Sequence, residues 1–350
     1  KILAVVKAEL GQMKEKYGDA RKTRVVRQAA GSISLEDMIP DEESMLVYTK
    51  GGYIKRTNPG EYRKQNRGGV GVVDLDTKDE DFITLFMSAT THSDMLFFSD
   101  KGKAYQIKMY DIPEGKRATR GKSIMNFIAL SGDEKVTSIL AMPKSLKESK
   151  LALFMVTKQG TVKKVSAESF KDVRRNGIIA IKLEKGDELL AALFAEKGDD
   201  VILTTAKGQA IRFKESDARE MGRAAGGVRG MKLGKGDFIV GADVVKKDAE
   251  KPELLVMSEN GYGKKTALKE YKIQKRGGSG IKTIKVTAKV GRLMVAQVVT
   301  PAFEELVAIS KKSQVIRIDM KSVPTLGRDT QGVRIMKLRE GDTIASLSCL

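Results

Sequence analysis

From Met45 onward the hydrophobic positions come in short runs: Met45-Leu46-Val47-Tyr48, Met95-Leu96-Phe97-Phe98, Leu151-Ala152-Leu153-Phe154, Val201-Ile202-Leu203, Leu254-Leu255-Val256-Met257 and Leu306-Val307-Ala308-Ile309. Each is too short for a helix and apolar at consecutive positions, the pattern of a strand covered on both faces. A turn follows every run: Lys50-Gly51, Lys101-Gly102, Gln159-Gly160, Lys207-Gly208, Asn260-Gly261 and Lys312-Ser313. Beyond the turn apolar and polar positions alternate, as in Ala210-Ile211-Arg212-Phe213-Lys214, which predicts a strand with one wet face. Further on, Leu183-Glu184-Lys185-Gly186-Asp187, Leu233-Gly234-Lys235-Gly236-Asp237 and Leu338-Arg339-Glu340-Gly341-Asp342 repeat a tight turn. Gly supplies positive φ there and Asp a side-chain cap. The units recur at about fifty residues. A unit of about four short strands and no helix cannot bury both faces of its sheet alone, whereas six units stacked around an axis can. The predicted fold is all-β, a six-bladed β-propeller, with an open β-solenoid as the competing arrangement.

The opening residues follow another period. Ile2, Val5, Val6, Leu10, Met13 and Tyr17 recur at helical spacing, so Lys1 to Tyr17 reads as a short amphipathic N-terminal helix ending near Gly18. Its apolar face has no partner within β-repeats, and it reads as the end of a preceding helical region. Asp19 to Ser44 then form a linker, basic around Arg21, Lys22, Arg24 and Arg27 and acidic around Glu36 to Glu43. Residues 1–44 are thus helix end and linker, and residues 45–350 the propeller.

Charge changes what this fold is expected to do. The 350 residues carry 64 Lys and Arg against 45 Asp and Glu, a net +19, while 41% hydrophobic residues suffice for an ordinary core. So basic an exterior attracts polyanions. The cations also recur. After each turn come Lys55-Arg56, Lys108, Lys163-Lys164, Arg212 with Lys214, Lys264-Lys265 and Arg317. Later in each unit comes a loop of cations and glycine: Arg67-Gly68-Gly69, Arg117 and Arg120 to Lys122, Arg174-Arg175, Arg223 to Arg229, Lys275-Arg276, and Arg328 to Arg334. Cations repeated at one place on every unit are expected to form a continuous positive rim. With no tryptophan and 5% aromatic residues, base stacking is not the expected mode, which points to duplex rather than single-stranded nucleic acid.

The most specific string is Gln65-Asn66-Arg67-Gly68-Gly69-Val70-Gly71, echoed by Gln274-Lys275-Arg276-Gly277-Gly278-Ser279-Gly280. Paired glycines admit close approach of backbone to a phosphate, and arginine adds a planar charged fork; a glycine bulge with a solvated arginine is the plainer alternative. The string resembles the box motif of the C-terminal domain of the DNA gyrase A subunit. The resemblance extends through all six repeats, in Gly160-Thr161-Val162-Lys163-Lys164, Gly227-Val228-Arg229-Gly230 and Gly327-Arg328-Asp329-Thr330-Gln331-Gly332-Val333. It implies a six-bladed β-pinwheel that wraps double-stranded DNA around its basic rim and so serves ATP-dependent negative supercoiling. It assigns Gln65, Arg67, Gly68, Gly69 and Gly71 to the box, with Asn66 and Val70 standing where the family carries basic residues. The implied partners are the rest of the gyrase A homodimer and the gyrase B subunit; ATP and magnesium belong to other parts of that enzyme, and no cofactor is expected here.

Other chemistry finds less support. Gly115 to Ser123 approaches a phosphate-binding loop, but Gly115 lies one residue too far from Gly121-Lys122-Ser123. His92 is the one histidine, which disfavours histidine metal clusters and Ser-His or Cys-His nucleophiles. None of the eight tyrosines follows an arginine, as the strand-cleaving tyrosine of the gyrase family does, so no catalytic residue is expected. No apolar stretch has the length of a membrane span and no signal-peptide pattern opens the chain. With Cys349 as the one cysteine, a reducing cytoplasm is the expected setting. The alternatives are the equivalent domain of topoisomerase IV and, less directly, a propeller that binds proteins.

Overall fold

The structure, a computed structural model, describes residues 2–19, 35–62, 81, 83–116, 119–143, 151–312 and 314–349. It divides into two compact units, Lys1–Pro40 and Asp41–Leu350. In the first unit the helix Ile2–Tyr17 keeps its apolar face exposed, and Leu35–Met38 forms one further helical turn.

The second unit is a six-bladed β-propeller. Its blades are built on six antiparallel hairpins whose first strands are the predicted apolar runs: Glu43–Thr49, Asp94–Ser99, Ala152–Thr157, Asp200–Thr205, Glu253–Ser258 and Glu305–Ser310. Each occupies the middle of its sheet, which is why both faces are apolar. On the axial side lies the last strand of the same repeat: Ile83–Thr90, Val136–Ala141, Leu189–Ala195, Ile239–Val245, Leu293–Val299 and Ile344–Cys349. These axial strands pack on one another in order, and the last packs on the first. Ser346 Oγ donates to Ile83 O at 2.9 Å, and Val47, Ile83 and Ile309 share a small core across that junction. The inner circuit is closed.

The outer edge is made differently from the simple stack of units that the sequence predicts. After the hairpin each of the second to sixth repeats sends a two-residue strand back to the preceding blade. Lys122–Ser123 edges the first blade, Ile178–Ile179 the second, Val228–Arg229 the third, Ile281–Lys282 the fourth and Val333–Arg334 the fifth. The sixth sheet has three strands among the described residues. A glycine precedes most donated strands because the crossing demands one. Gly121, Gly227, Gly280 and Gly332 all have positive φ, and a Cβ on any of them would lie 2.5–2.6 Å from a carbonyl oxygen of the receiving strand. These glycines of the Arg-Gly loops therefore serve close packing of chain on chain.

The Gly-Asp turns behave as expected. Gly186, Gly236 and Gly341 have positive φ. Asp187 accepts from Gln159 N, Asp237 from Lys207 N and Asp342 from Lys312 N, each at 3.0 Å, tying the axial strand to the hairpin turn.

Candidate nucleic-acid interface

Neighbouring residues on a strand point to opposite faces. In Lys55-Arg56, Lys163-Lys164 and Lys264-Lys265 one member must therefore turn inward, and it is the first. Lys55, Lys163 and Lys264 are 0–1% exposed. Lys55 Nζ donates to Lys116 O and Thr119 O at 3.2 and 2.8 Å. Lys163 Nζ donates to Ala180 O at 2.7 Å and to Arg223 O. Lys264 Nζ donates to Gly327 O, to Arg328 O at 2.7 Å and to Thr330 Oγ1 at 3.0 Å. In every case the ammonium holds at least one backbone oxygen of the incoming cationic loop of the next repeat, and Lys163 also holds Ala180 O of its own repeat. Burial pushes the Lys163 and Lys264 amines down to about 8. As placed, these three lysines cannot reach a phosphate, so they are corrected from rim contacts to internal ties.

The outward strand cations are matched by carboxylates. Arg56 lies 3.6 Å from Glu114, Lys108 3.1 Å from Asp94, Arg212 2.7 Å from Asp200 and Lys265 3.2 Å from Glu253. Lys164 pairs with Glu215 and Arg317 with Glu305. Most of these pairs are largely buried, and all sit toward the open end of the hairpin, away from its turn. The strand row expected to be a positive stripe is locally neutral, apart from the exposed Lys214. The matching acids do carry a signal in the sequence, one that reasoning from the cations alone misses. An acid opens the central strand twelve residues before the cation in Asp200/Arg212 and Glu305/Arg317, and likewise in Glu253/Lys265.

The loop cations stay positive. Lys122, Arg174, Arg223, Arg229 and Lys275 are exposed, and their side chains make no hydrogen bond or ion pair among the described residues. Others are held in place, Arg276, Arg328 and Arg334 without a carboxylate partner among the described residues and Arg120 and Arg175 beside one. Arg276 donates to Asp217 O and Arg229 O at 2.8 and 2.9 Å. Arg328 donates to Lys282 O at 3.0 Å. Arg334 bonds Tyr262 Oη at 3.0 Å and covers its ring. Arg120 stacks 3.8 Å above the Tyr53 ring and lies 3.7 Å from Asp81. Arg175 is paired with Asp111 at 2.7 Å. The structure thus brings the loop cations of the second to sixth repeats to the donated edges of the first five blades. Gln65, Arg67, Gly68, Gly69, Gly71 and Arg117 lie outside the described residues.

No group of three or more metal-ligating side chains occurs among the described residues. No helix is long and apolar enough to cross a membrane. A groove of about 500 Å³ between the third and fourth blades is lined by Lys164, Lys214, Asp199, Asp200, Glu215 and Glu220, a set with more carboxylates than lysines and already largely engaged in ion pairs. The donated edges are the feature with chemistry to offer: fixed, hydrated, unneutralised cations suited to phosphate oxygens.

The family described as DNA gyrase C-terminal domain, beta-propeller, matches residues 43–89, 93–141, 152–196, 199–246, 252–300 and 304–350, one match for each blade. The DNA gyrase A protein of Staphylococcus epidermidis is 39% identical over 99% of this chain, and the chain spans 38% of that relative's length. Its counterpart from Lawsonia intracellularis is 39% identical over 96% of the chain, covering 41% of the relative. Among solved structures, a DNA gyrase A C-terminal domain superposes with a TM-score of 0.75 at 31% identity, over 88% of this chain and 99% of that one. The C-terminal domain of a DNA topoisomerase IV matches with a TM-score of 0.71 over 89% and 94% at 24% identity, a likeness of fold alone.

Proposed function

Starting from a chain that belongs to the DNA gyrase C-terminal β-propeller family, we propose that it binds double-stranded DNA without sequence preference and wraps it around the donated edges of the blades. In the whole enzyme this wrap presents a segment of the same duplex for passage, alongside the remainder of gyrase A and its gyrase B partner, and so serves negative supercoiling in the bacterial cytoplasm. ATP and magnesium act elsewhere in that assembly, and this stretch contributes no catalytic residue.

The observation that carries the reading is the contrast between the paired strand cations and Lys122, Arg174, Arg223, Arg229, Lys275, Arg276, Arg328 and Arg334, which have no carboxylate partner among the described residues, at the donated edges of the first five blades. Bending 20–30 base pairs through 40–90° costs on the order of 1–6 kcal/mol. Cations spread over successive blades offset that strain in increments, through phosphate contact and counterion release. Backbone contacts carry no base information, hence the weak sequence preference. The test is duplex affinity against salt. With six or more phosphates contacted, affinity falls by about 10³-fold or more between 50 and 200 mM salt, and plasmid relaxed in the presence of the chain retains a linking difference after its removal. A flat salt profile overturns the proposal.

A further inference from the structure

The chain turns sharply after each donated strand, and a second row of cations stands at that turn. Met231 N donates to Gly160 O, a hairpin-turn glycine, at 3.2 Å, and the next residue is Lys232. Ile181 N donates to Gly102 O and Met336 N to Gly261 O, both at 3.1 Å, and Lys182 and Lys337 follow. Thr283 N reaches Gly208 O at 2.8 Å, two residues before Lys285. All four lysines therefore lie at the turn margin of the propeller, on the chain crossing from one blade to the next. Their main chains place them beside the cationic loops: Lys182 N donates to Ala225 O, Lys232 N to Gly278 O and Lys285 N to Thr330 O. The residue that makes this bond at the junction of the first and second blades is Ala129, to Arg175 O at 3.0 Å.

Their side chains are exposed and make no hydrogen bond or ion pair among the described residues. Other lysines of the same margin are engaged: Lys207 Nζ donates to Lys235 O and Lys312 Nζ to Glu340 O, while Lys101 lies 3.0 Å from Asp133 and Lys158 pairs with Glu188. At the opposite margin, the open end of the hairpins, the strand cations face carboxylates. The chain crossing between blades thus carries an exposed lysine on its turn side at four junctions, and Ala129 in the equivalent place at the junction of the first and second blades.

We propose that the duplex runs off-centre, along the turn margin, where Lys182, Lys232, Lys285 and Lys337 add a phosphate contact at each of the four junctions from the second blade to the sixth, and that it is held less tightly at the junction of the first and second blades. This rests on the DNA-wrapping reading and specifies its path. The lysines contribute only backbone groups to the fold, so Lys→Gln substitutions leave the propeller intact.

The experiment compares the 350-residue chain with two quadruple variants on a duplex of mixed sequence. K182Q/K232Q/K285Q/K337Q neutralises the turn margin. K171Q/K247Q/K251Q/K269Q removes the same charge from exposed lysines at the open end. The turn-margin variant lowers the slope of log K against log salt by about 3–4, from about 0.9 per phosphate contact, and the open-end variant lowers it by less than about 1. A129K raises the slope by about 0.9 and extends hydroxyl-radical protection of the DNA by one blade. Equal loss in both quadruple variants, or greater loss at the open end, overturns the off-centre path while leaving DNA binding standing. Absence of salt-dependent binding by the unsubstituted chain overturns the reading beneath it.

Discussion

The third and fourth blades share strand order, turn chemistry and a donated edge, yet they keep their interior charge in different places. In the third, Lys163 is buried beneath the incoming loop and ties its Arg223 carbonyl to Ala180 O of its own repeat. In the fourth the same position is Ile211, packed with Phe154, Phe213 and Met231, and Gly278 of the incoming loop lies against it. The fourth blade has its interior charge on the axial side instead. Asp243 accepts from Val298 N of the fifth blade and from Val244 N, both at 2.8 Å. Surrounding protein pushes its carboxyl up to about 6, against the pull of those two amides. Around the propeller the position under the loop reads Lys55, Tyr105, Lys163, Ile211, Lys264 and Ile316, so a donated edge can be seated either on an ammonium or on an apolar side chain. The charge at that site belongs to the fold and is interchangeable with hydrocarbon. The charge on the loop above it is the part that faces outward.

The contrast is broken most strongly by truncating each seat. Ile211→Ala costs about 2–5 kcal/mol through lost burial and a residual cavity. Lys163→Ala costs about 1–3 kcal/mol, since unpaired carbonyls are partly offset by relief of a buried charge. Urea midpoints rank the two, and a larger loss for Lys163→Ala would show that the ammonium is the stronger seat. Next comes Asp243→Asn, which removes the charge and keeps an acceptor for one of the two amides, since Val244 N and Val298 N bond different carboxylate oxygens. A carboxyl raised in the folded state destabilises as it ionises, so the native chain loses stability between about pH 4 and 6 while the variant does not. Measured against the variant, the native chain loses about 2–3 kcal/mol between pH 4 and 8; unchanged melting across this range would remove Asp243 from the interior charges. The smallest effect is alkaline. Lys163 and Lys264 lose their protons near pH 8 when folded and near 10.4 when unfolded, so the unfolded chain binds more protons in between. Stability relative to K163M/K264M then rises from pH 8 to 9 by at most about 1.4 kcal/mol per lysine. A fall over that interval would mean that the protonated ties are the stabilising form.

Much of the propeller is legible in the sequence because its causes are local. Apolar runs, turn glycines and the Gly-Asp caps recur with the repeat, and each does in the structure what its chemistry suggests. The exchange of edge strands is not legible locally, since Val228-Arg229 reads the same whether it pairs with its own hairpin or, as it does, with Thr161-Val162. The candidate interface is legible by halves. The Arg-Gly loops read correctly in kind as cationic edges, whereas a count of basic residues treats every strand lysine as wet. The period of two, applied within Lys163-Lys164, already requires one of them to point inward. The turn-margin row of Lys182, Lys232, Lys285 and Lys337 escapes such a reading because these residues sit between the motifs, where their spacing has meaning only once the crossing chain is seen.

Strand donation also governs how such a molecule can change over evolutionary time. Excising one whole repeat lets the next repeat's donated strand edge the blade before the gap, whereas a cut that takes a hairpin without its donated strand leaves one strand without a sheet. A new blade number is reached without loss only when the exchanged stretch begins and ends at equivalent registers, carrying its clasp for the neighbour intact.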